Sequence, residues 1–271
     1  MTKFDVVEEL ARVPAQPLAA LGLVRLLGRP DPSLAELTRV IDMDPALSAR
    51  VMRAANAPYY GPGPAVRSAA RAVVLLGFDT VKALAAAAAS GLLGDEVNFG
   101  PPDFWSHSIA VAAAASVAAE PLGVTQSDAF SAGLQHDIGA AVLHRADPDR
   151  YASGIAGRSG LERLAAERDA FGIDHPEAGA KALEAWRLPP IFIRAILTHH
   201  QPIDSVNPLT QAVILGHAIA ERIDPSEQPE DDRPLESLVD ELGLPSSIRR
   251  DLMSRTEAEL DRIGAFVRSV T

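Results

Sequence analysis

The chain contains no cysteine, which excludes disulfides and thiolate metal sites. Aromatic residues make up only 5% of its 271 positions, while 47% are hydrophobic, so its core is built from small and aliphatic side chains. Basic charge is not in excess: 25 Lys and Arg stand against 36 Asp and Glu, a formal net charge of −11. Arg249-Arg250 and the scattered arginines form no basic stripe. Phosphate backbones are held by clustered cations, so nucleic acid is excluded as a main partner. No uninterrupted apolar run reaches the ~18 residues of a membrane span, and the tract Ala83–Ala89 is too short and too weakly apolar. The opening Met1-Thr2-Lys3-Phe4-Asp5 lacks the apolar stretch of a secretory signal. A cytoplasmic protein with no membrane partner is expected. Strand-like alternation and fixed-period repeats are also lacking, and no histidine precedes residue 107.

Alanine, by contrast, is abundant and clustered, as in Ala85–Ala89 and Ala112–Ala115. It is the best helix former, and its small side chain lets helices approach closely. An all-α fold follows. Its elements are marked by their ends. Residues 4–13 are amphipathic, and 17–27 read as a helix. Ser33 and Glu36 form a capping box for a helix over 34–42. Asp44-Pro45 opens the next, with Asp at the N-cap and Pro at N1. Pro58–Pro64 is a turn-rich loop, Ser68–Leu76 a helix stopped by Gly77, and Asp79 caps a helix over 80–93. The chain thus divides into an N-terminal bundle (1–93), a second helical half (94–224) and an acidic loop with C-terminal helices (225–271). In the second half, Asp103 starts a long helix through Glu120. Ser127–Leu143 reads as one helix that Gly139 bends or interrupts, and 147–160 as a polar loop. Helices then follow at 161–171, 175–186, 190–199 and 209–222, a solvated loop at 224–234, and helices near 235–242 and 245–270.

All seven histidines lie between 107 and 217. His107 shares a helix face with Val111 and Ala114, His200 follows Ile193, Ile196 and Leu197, and His217 follows Val213 and Ile214; these spacings point all three inward. A buried imidazole needs partners, and several on different helices satisfy one another best around an ion. Adjacent His136 and Asp137 sit ~100° apart on a helix, and both can reach one ion at the edge between their faces. Imidazole with carboxylate suits Fe, Mn or Zn, and such an ion can hold a water of lowered pKa for phosphoester hydrolysis. The ordinary alternative for each residue is a hydrogen-bonded core or helix-end histidine. His144, beside Arg145 and Asp147, reads as a surface residue. His175 suits a helix N-terminus as well as a pocket, and one of His199 and His200 suits a helix C-terminus.

Beyond spacing, the chain from about Val13 to Pro202 resembles the HDOD domain, the HD-related output domain of bacterial signalling proteins. The resemblance rests on ordered blocks: 37–51 (Leu-Thr-Arg-Val-Ile-Asp-Met-Asp-Pro-Ala-Leu-Ser-Ala-Arg-Val), 55–61 (Ala-Asn-Ala-Pro-Tyr-Tyr-Gly), 72–81, 104–108 (Phe-Trp-Ser-His-Ser), Gly133-Leu134-Gln135-His136-Asp137-Ile138-Gly139, 175–179 (His-Pro-Glu-Ala-Gly) and His199-His200. It implies an N-terminal helical bundle packed on an HD-like helical bundle, and a non-enzymatic regulatory role through contacts with signalling proteins. From the metal-dependent phosphohydrolases of the HD superfamily it implies a first metal site at His107, His136, Asp137 and His217. The last stands where those enzymes carry Asp, which keeps a ligand atom but removes a negative charge. It also implies a second site or pocket at His175, His199 and His200. Two features depart from the catalytic pattern: Ala140 replaces a Lys that meets phosphate, and Gln201-Pro202 replaces a Gly-Tyr-Pro signature. Asn56, Tyr59 and Tyr60 form a candidate partner surface or a contact between the halves. Two other readings are a phosphohydrolase acting on a nucleotide or cyclic dinucleotide, and a sensor that binds metal or a nucleotide ligand.

Overall fold

The computed structural model describes residues 5–12, 32–60, 65–77, 104–155, 157–223 and 234–270, with isolated positions between 19 and 29 and between 80 and 84. Among these the fold is all-helical. The expected helices over 17–27 and 80–93, the Asp79 and Asp103 caps, the loop 224–234 and both expected boundaries lie wholly or largely outside the described residues.

Helix α1 (Val6–Arg12) is followed by α2 (Leu34–Ile41), α3 (Pro45–Ala55) and α4 (Ala69–Leu76). The caps form as expected. The Glu36 amide donates to Ser33 Oγ at 3.2 Å, and the Ser33 amide donates to Glu36 Oε2 at 2.9 Å. Asp44 accepts from the Leu47 amide at 2.8 Å, with Pro45 at N1 of α3. The second half runs α5 (Phe104–Ala118), α6 (Gln126–Gln135), α7 (Ile138–Ala146), α8 (Pro148–Gly154), α9 (Gly160–Phe171), α10 (His175–Ala185), α11 (Pro190–Thr198) and α12 (Pro208–Ile223). Helices α13 (Leu235–Glu241) and α14 (Ile248–Val270) complete the described chain. Helix α8 falls inside the stretch read as a polar loop. Asp147 caps it by accepting from the Arg150 amide, Pro148 occupies its first turn, and Tyr151 buries against the core. The Asp-Pro that looked like loop chemistry is helix-start chemistry here.

Helix α5 is the axis of the second half. Its alanines at 112–115 are all fully buried, and α6, α12 and α14 pack around it. Contact is at backbone distance. A Cβ on Gly133 of α6 would lie 3.0 Å from Ala112 Cα, and one on Gly216 of α12 would lie 2.6 Å from the Ala115 nitrogen. The alanine run and the two glycines therefore let three helices close to a separation that larger side chains forbid.

The two halves share one apolar core: Leu37, Leu47 and Met52 cluster with Ala132, Phe192 and Val213. Polar contacts cross the same seam. Gln135 Nε2 donates to Ser48 Oγ at 3.3 Å, and Arg67 pairs with Asp128 at 3.0 Å. Helix α1 departs from the expected division, because it packs on α7 and α10 of the second half and Glu9 pairs there with Arg145 at 3.3 Å. Helix α14 packs on α5 and α12, and its Phe266 reaches the shared core. No helix among the described residues is long and apolar enough to cross a membrane.

Candidate metal centre

The His-Asp pair does not lie within one helix. Helix α6 ends at Gln135, His136 and Asp137 form a turn, and α7 begins at Ile138. The interruption comes before Gly139, which is an ordinary residue of α7. Glycine is required there for space: a Cβ would lie 1.9 Å from the His175 carbonyl oxygen and 2.6 Å from the Gly179 nitrogen. Helix α7 thus rests directly on the first turn of α10, and this contact brings His175 to Asp137.

Six of the seven histidines converge. His107 on α5, His136 after α6 and His217 on α12 place their ligand atoms within 4.8 Å of one another. His107 Nε2 and His136 Nε2 are 3.3 Å apart. Asp137, His175, His199 and His200 form an adjoining group of the same compactness. Asp137 Oδ1 lies 3.2 Å from His175 Nε2, 3.5 Å from His199 Nε2 and 3.6 Å from His136 Nε2. Asp137 therefore stands between the two groups and makes its nearer contacts with the second, whereas the sequence reading placed it only with His107, His136 and His217. His144 stays apart, half-buried against the Tyr151 ring with centroids 5.4 Å apart.

The tautomers are fixed by what Nδ1 meets. His136 Nδ1 is 2.7 Å from the Gly133 carbonyl, and His199 Nδ1 is 2.6 Å from the Ile196 carbonyl. A carbonyl only accepts, so each Nδ1 carries the proton, and each neutral ring turns a bare Nε2 lone pair inward. His175 Nδ1 lies 2.7 Å from Glu167 Oε2, which also accepts from the His175 amide at 2.8 Å. Arg163 stands behind both carboxylates. It donates from Nε to Glu167 at 3.1 Å and from Nη2 to Asp137 Oδ2 at 3.2 Å, with the Tyr151 hydroxyl 3.3 Å from Nη2. Asp137 Oδ2 is thereby held, while Oδ1 is buried with no hydrogen-bond partner among the described residues.

The electrostatics follow from burial. His136 and His175 are both 0% exposed. Burial pushes His136 down to about 3, against the pull of the Asp137 charge. Burial, with neighbouring imidazoles, holds His200 and His217 well below the usual range, and His199 is lowered chiefly by burial. For His175, burial is outweighed by the Glu167 and Asp137 carboxylates, which raise it to about 9. Asp137 is held well below the usual carboxylate range: burial opposes its charge, but His175 and Arg163 overcome that.

This donor set fits a divalent cation. His175 Nε2 stands 3.0 Å from His200 Nε2 and 3.4 Å from His199 Nε2 beside Asp137 Oδ1, and a bound cation would displace the proton that His175 carries in the ion-free fold. A cation at their centre turns mutual repulsion into coordination. Glu167 on His175 Nδ1, and carbonyls on His136 and His199, are the outer hydrogen bonds that orient metal-binding imidazoles. Arg163 and Glu167 went unread in the sequence. Spaced i,i+4 on a polar helix, they look like any solvated ion pair, and only the fold buries them.

The other candidates fall elsewhere. Asn56 Nδ2 donates to the Met52 and Val66 carbonyls, at 3.0 and 2.9 Å, and Oδ1 accepts from the Val66 amide at 2.9 Å. It therefore closes its own loop within the first half. Tyr59 is 90% exposed and meets Tyr60 edge-on, and Tyr60 packs against the shared core.

Residues 13–202 match the HDOD domain. The chain belongs to the HDOD family. A crystal structure of the MmoQ response regulator from Methylococcus capsulatus str. Bath is similar to this HDOD protein at 27% identity, with a TM-score of 0.71 over 89% of this chain and 97% of that one. A virulence factor from Campylobacter jejuni subsp. jejuni shares the fold at 17% identity, with a TM-score of 0.66 over 96% of this chain and 97% of that one. No curated protein matches the chain.

Proposed function

We propose that this HDOD protein is a bacterial signal-transduction module that acts through protein contacts, and that its histidine centre holds a divalent Fe, Mn or Zn ion without turning over substrate. The carrying observation is the convergence of six imidazoles in two adjoining groups, with Asp137 Oδ1 within 3.6 Å of His175, His199 and His136 and Oδ2 already bound by Arg163. Asp137, His175, His199 and His200 would hold the ion, with His107, His136 and His217 forming the adjoining donor group. Support for a non-catalytic role comes from the small and buried Ala140, where the resemblance expects a phosphate-contacting Lys, and from the likeness to a response regulator. Exposed apolar groups on the first half, Tyr59 at 90% and Val74 at 74%, suit a contact surface.

A second reading rests on the cleft of about 430 Å³ beside His200, lined by Leu161, Arg168, Glu177 and Gln201. An ion held by Asp137, His175, His199 and His200 beside this cleft would supply a water of lowered pKa as the nucleophile for phosphoester hydrolysis. Elemental analysis of the purified protein, followed by assays on bis(p-nitrophenyl) phosphate and cyclic dinucleotides with Mn or Fe added, separates the two. Bound metal without turnover is expected. Turnover that disappears in Asp137→Ala would establish the hydrolase, and protein free of metal after expression in metal-rich medium would refute the ion.

A further inference from the structure

A second cavity, of about 680 Å³, lies away from the histidine centre where both halves meet α14. Its size is that of small-molecule sites, and like them it combines an apolar wall with a few polar groups. Phe130 and Phe266 supply rings, Ser127 a hydroxyl, and Arg39 and Asp42 charges.

Asp42 is the anomaly. It is the C-cap of α2, where a negative charge meets the negative end of the helix dipole. Its Oδ1 is buried, and no described residue donates a hydrogen bond to it. Burial alone pushes its carboxyl up to about 7. Asp42 as a whole is half-buried, but a carboxylate oxygen buried without a donor is a net cost to the fold. Arg39, three residues earlier and so on the same face of α2, is exposed and makes no ion pair with a described residue. Its guanidinium lies over the Phe266 ring, 5.5 Å from the centroid. One wall of the cleft thus carries an acid lacking a donor and a cation lacking an anion, beside two aromatic rings.

We infer that this cleft is a ligand site, separate from the histidine centre, for a small molecule that offers a cationic or polarised N–H group to Asp42 and an anionic group to Arg39. Guanidino amino acids and guanine nucleotides both carry that chemistry, and the rings lining the cleft give a planar group a stacking surface.

The test uses L-arginine and guanosine 5′-monophosphate as probes, with calorimetry on the full chain. Binding of either supports the site when Asp42→Asn and Arg39→Ala each weaken it about tenfold or more, the loss expected for a charge-assisted hydrogen bond. Which probe binds tells an amino-acid source from a nucleotide source. No binding of either, or binding unchanged in Asp42→Asn, overturns the inference. Ala70→Trp leaves both charges in place and fills the cleft from the rim. It is expected to abolish binding even if Asp42→Asn fails to fold, and unchanged binding in it also overturns the inference. The free protein gives an independent reading. Asp42→Asn removes a charge that no described residue stabilises, so a raised thermal midpoint is expected. A lowered midpoint would make Asp42 a structural residue and overturn its role as a ligand contact.

Discussion

At the scale of single residues, the centre depends on groups that never touch the proposed ion. Glu167 fixes His175 by accepting from both its amide and its Nδ1. Replacing Glu167 with Gln keeps the shape but weakens that grip, and metal affinity is expected to fall about 10–100-fold. Chelator competition measures this, and an affinity within about twofold of the parent would show that Glu167 serves the fold alone. The rings also set a pH dependence for ion-free protein. His136, His199, His200 and His217 all sit below their usual value of 6.5 in the fold. Below about pH 6.5 the unfolded chain binds protons that these rings refuse, so stability falls as pH drops toward 3. His175 has the opposite sign: its charge supports the fold below 6.5, and that support is lost as pH rises through about 9. Urea midpoints after chelation should therefore peak between these limits, and a midpoint at pH 5 no lower than at pH 7.5 would contradict the assignment. The inward-facing histidines were legible because His107, His200 and His217 carry helical spacing to apolar neighbours. Arg163 was not, because nothing local distinguishes a buried i,i+4 pair from a solvated one.

At the scale of elements, glycine and alanine set the distances. Gly139→Ala forces a Cβ against the His175 carbonyl and the Gly179 nitrogen, backbone atoms that cannot swing away. A loss of about 1–3 kcal/mol or more is expected, together with weaker metal binding, because α7 and α10 carry Asp137 and His175. Gly154→Ala is the control. It also sits in a helix, but a Cβ there meets nothing within 4 Å, so stability should stay level or rise by up to about 1 kcal/mol. Denaturation of the two variants side by side checks the contrast, and equal effects would refute the close-approach argument. Sequence and structure agree on the capped starts of α2 and α3, since caps are local chemistry. They part at Gly139 and at 147–160. The first glycine was read for its helix-breaking tendency when its lack of a side chain is what matters, and the Asp-Pro at 147–148 is shared by loops and helix starts.

At the scale of the whole molecule, the expected separation into halves does not extend to the core. Phe192 and Val213 pack in the same cluster as Leu47 and Met52, and α1 lies on the far half. Residues 104–271 expressed alone are expected not to form a cooperative fold, because one side of that cluster would face water. Dispersed amide resonances and a sharp unfolding transition from that fragment would contradict this. Sequence pattern shows which faces are apolar but not which apolar faces meet, so the shared core had no local sign.

Gln135 and His136 are chain neighbours with separate duties: one ties down the other half through Ser48, and the other faces the histidine centre. A peptide unit fastened at both ends acts as a latch. Withdrawing the ion would leave the imidazoles repelling one another one residue from that fastening. Amide exchange around Ser48 should then quicken in chelated protein, although Ser48 lies in the half that carries no histidine. Exchange there that is indifferent to chelation would show that seam and centre are uncoupled.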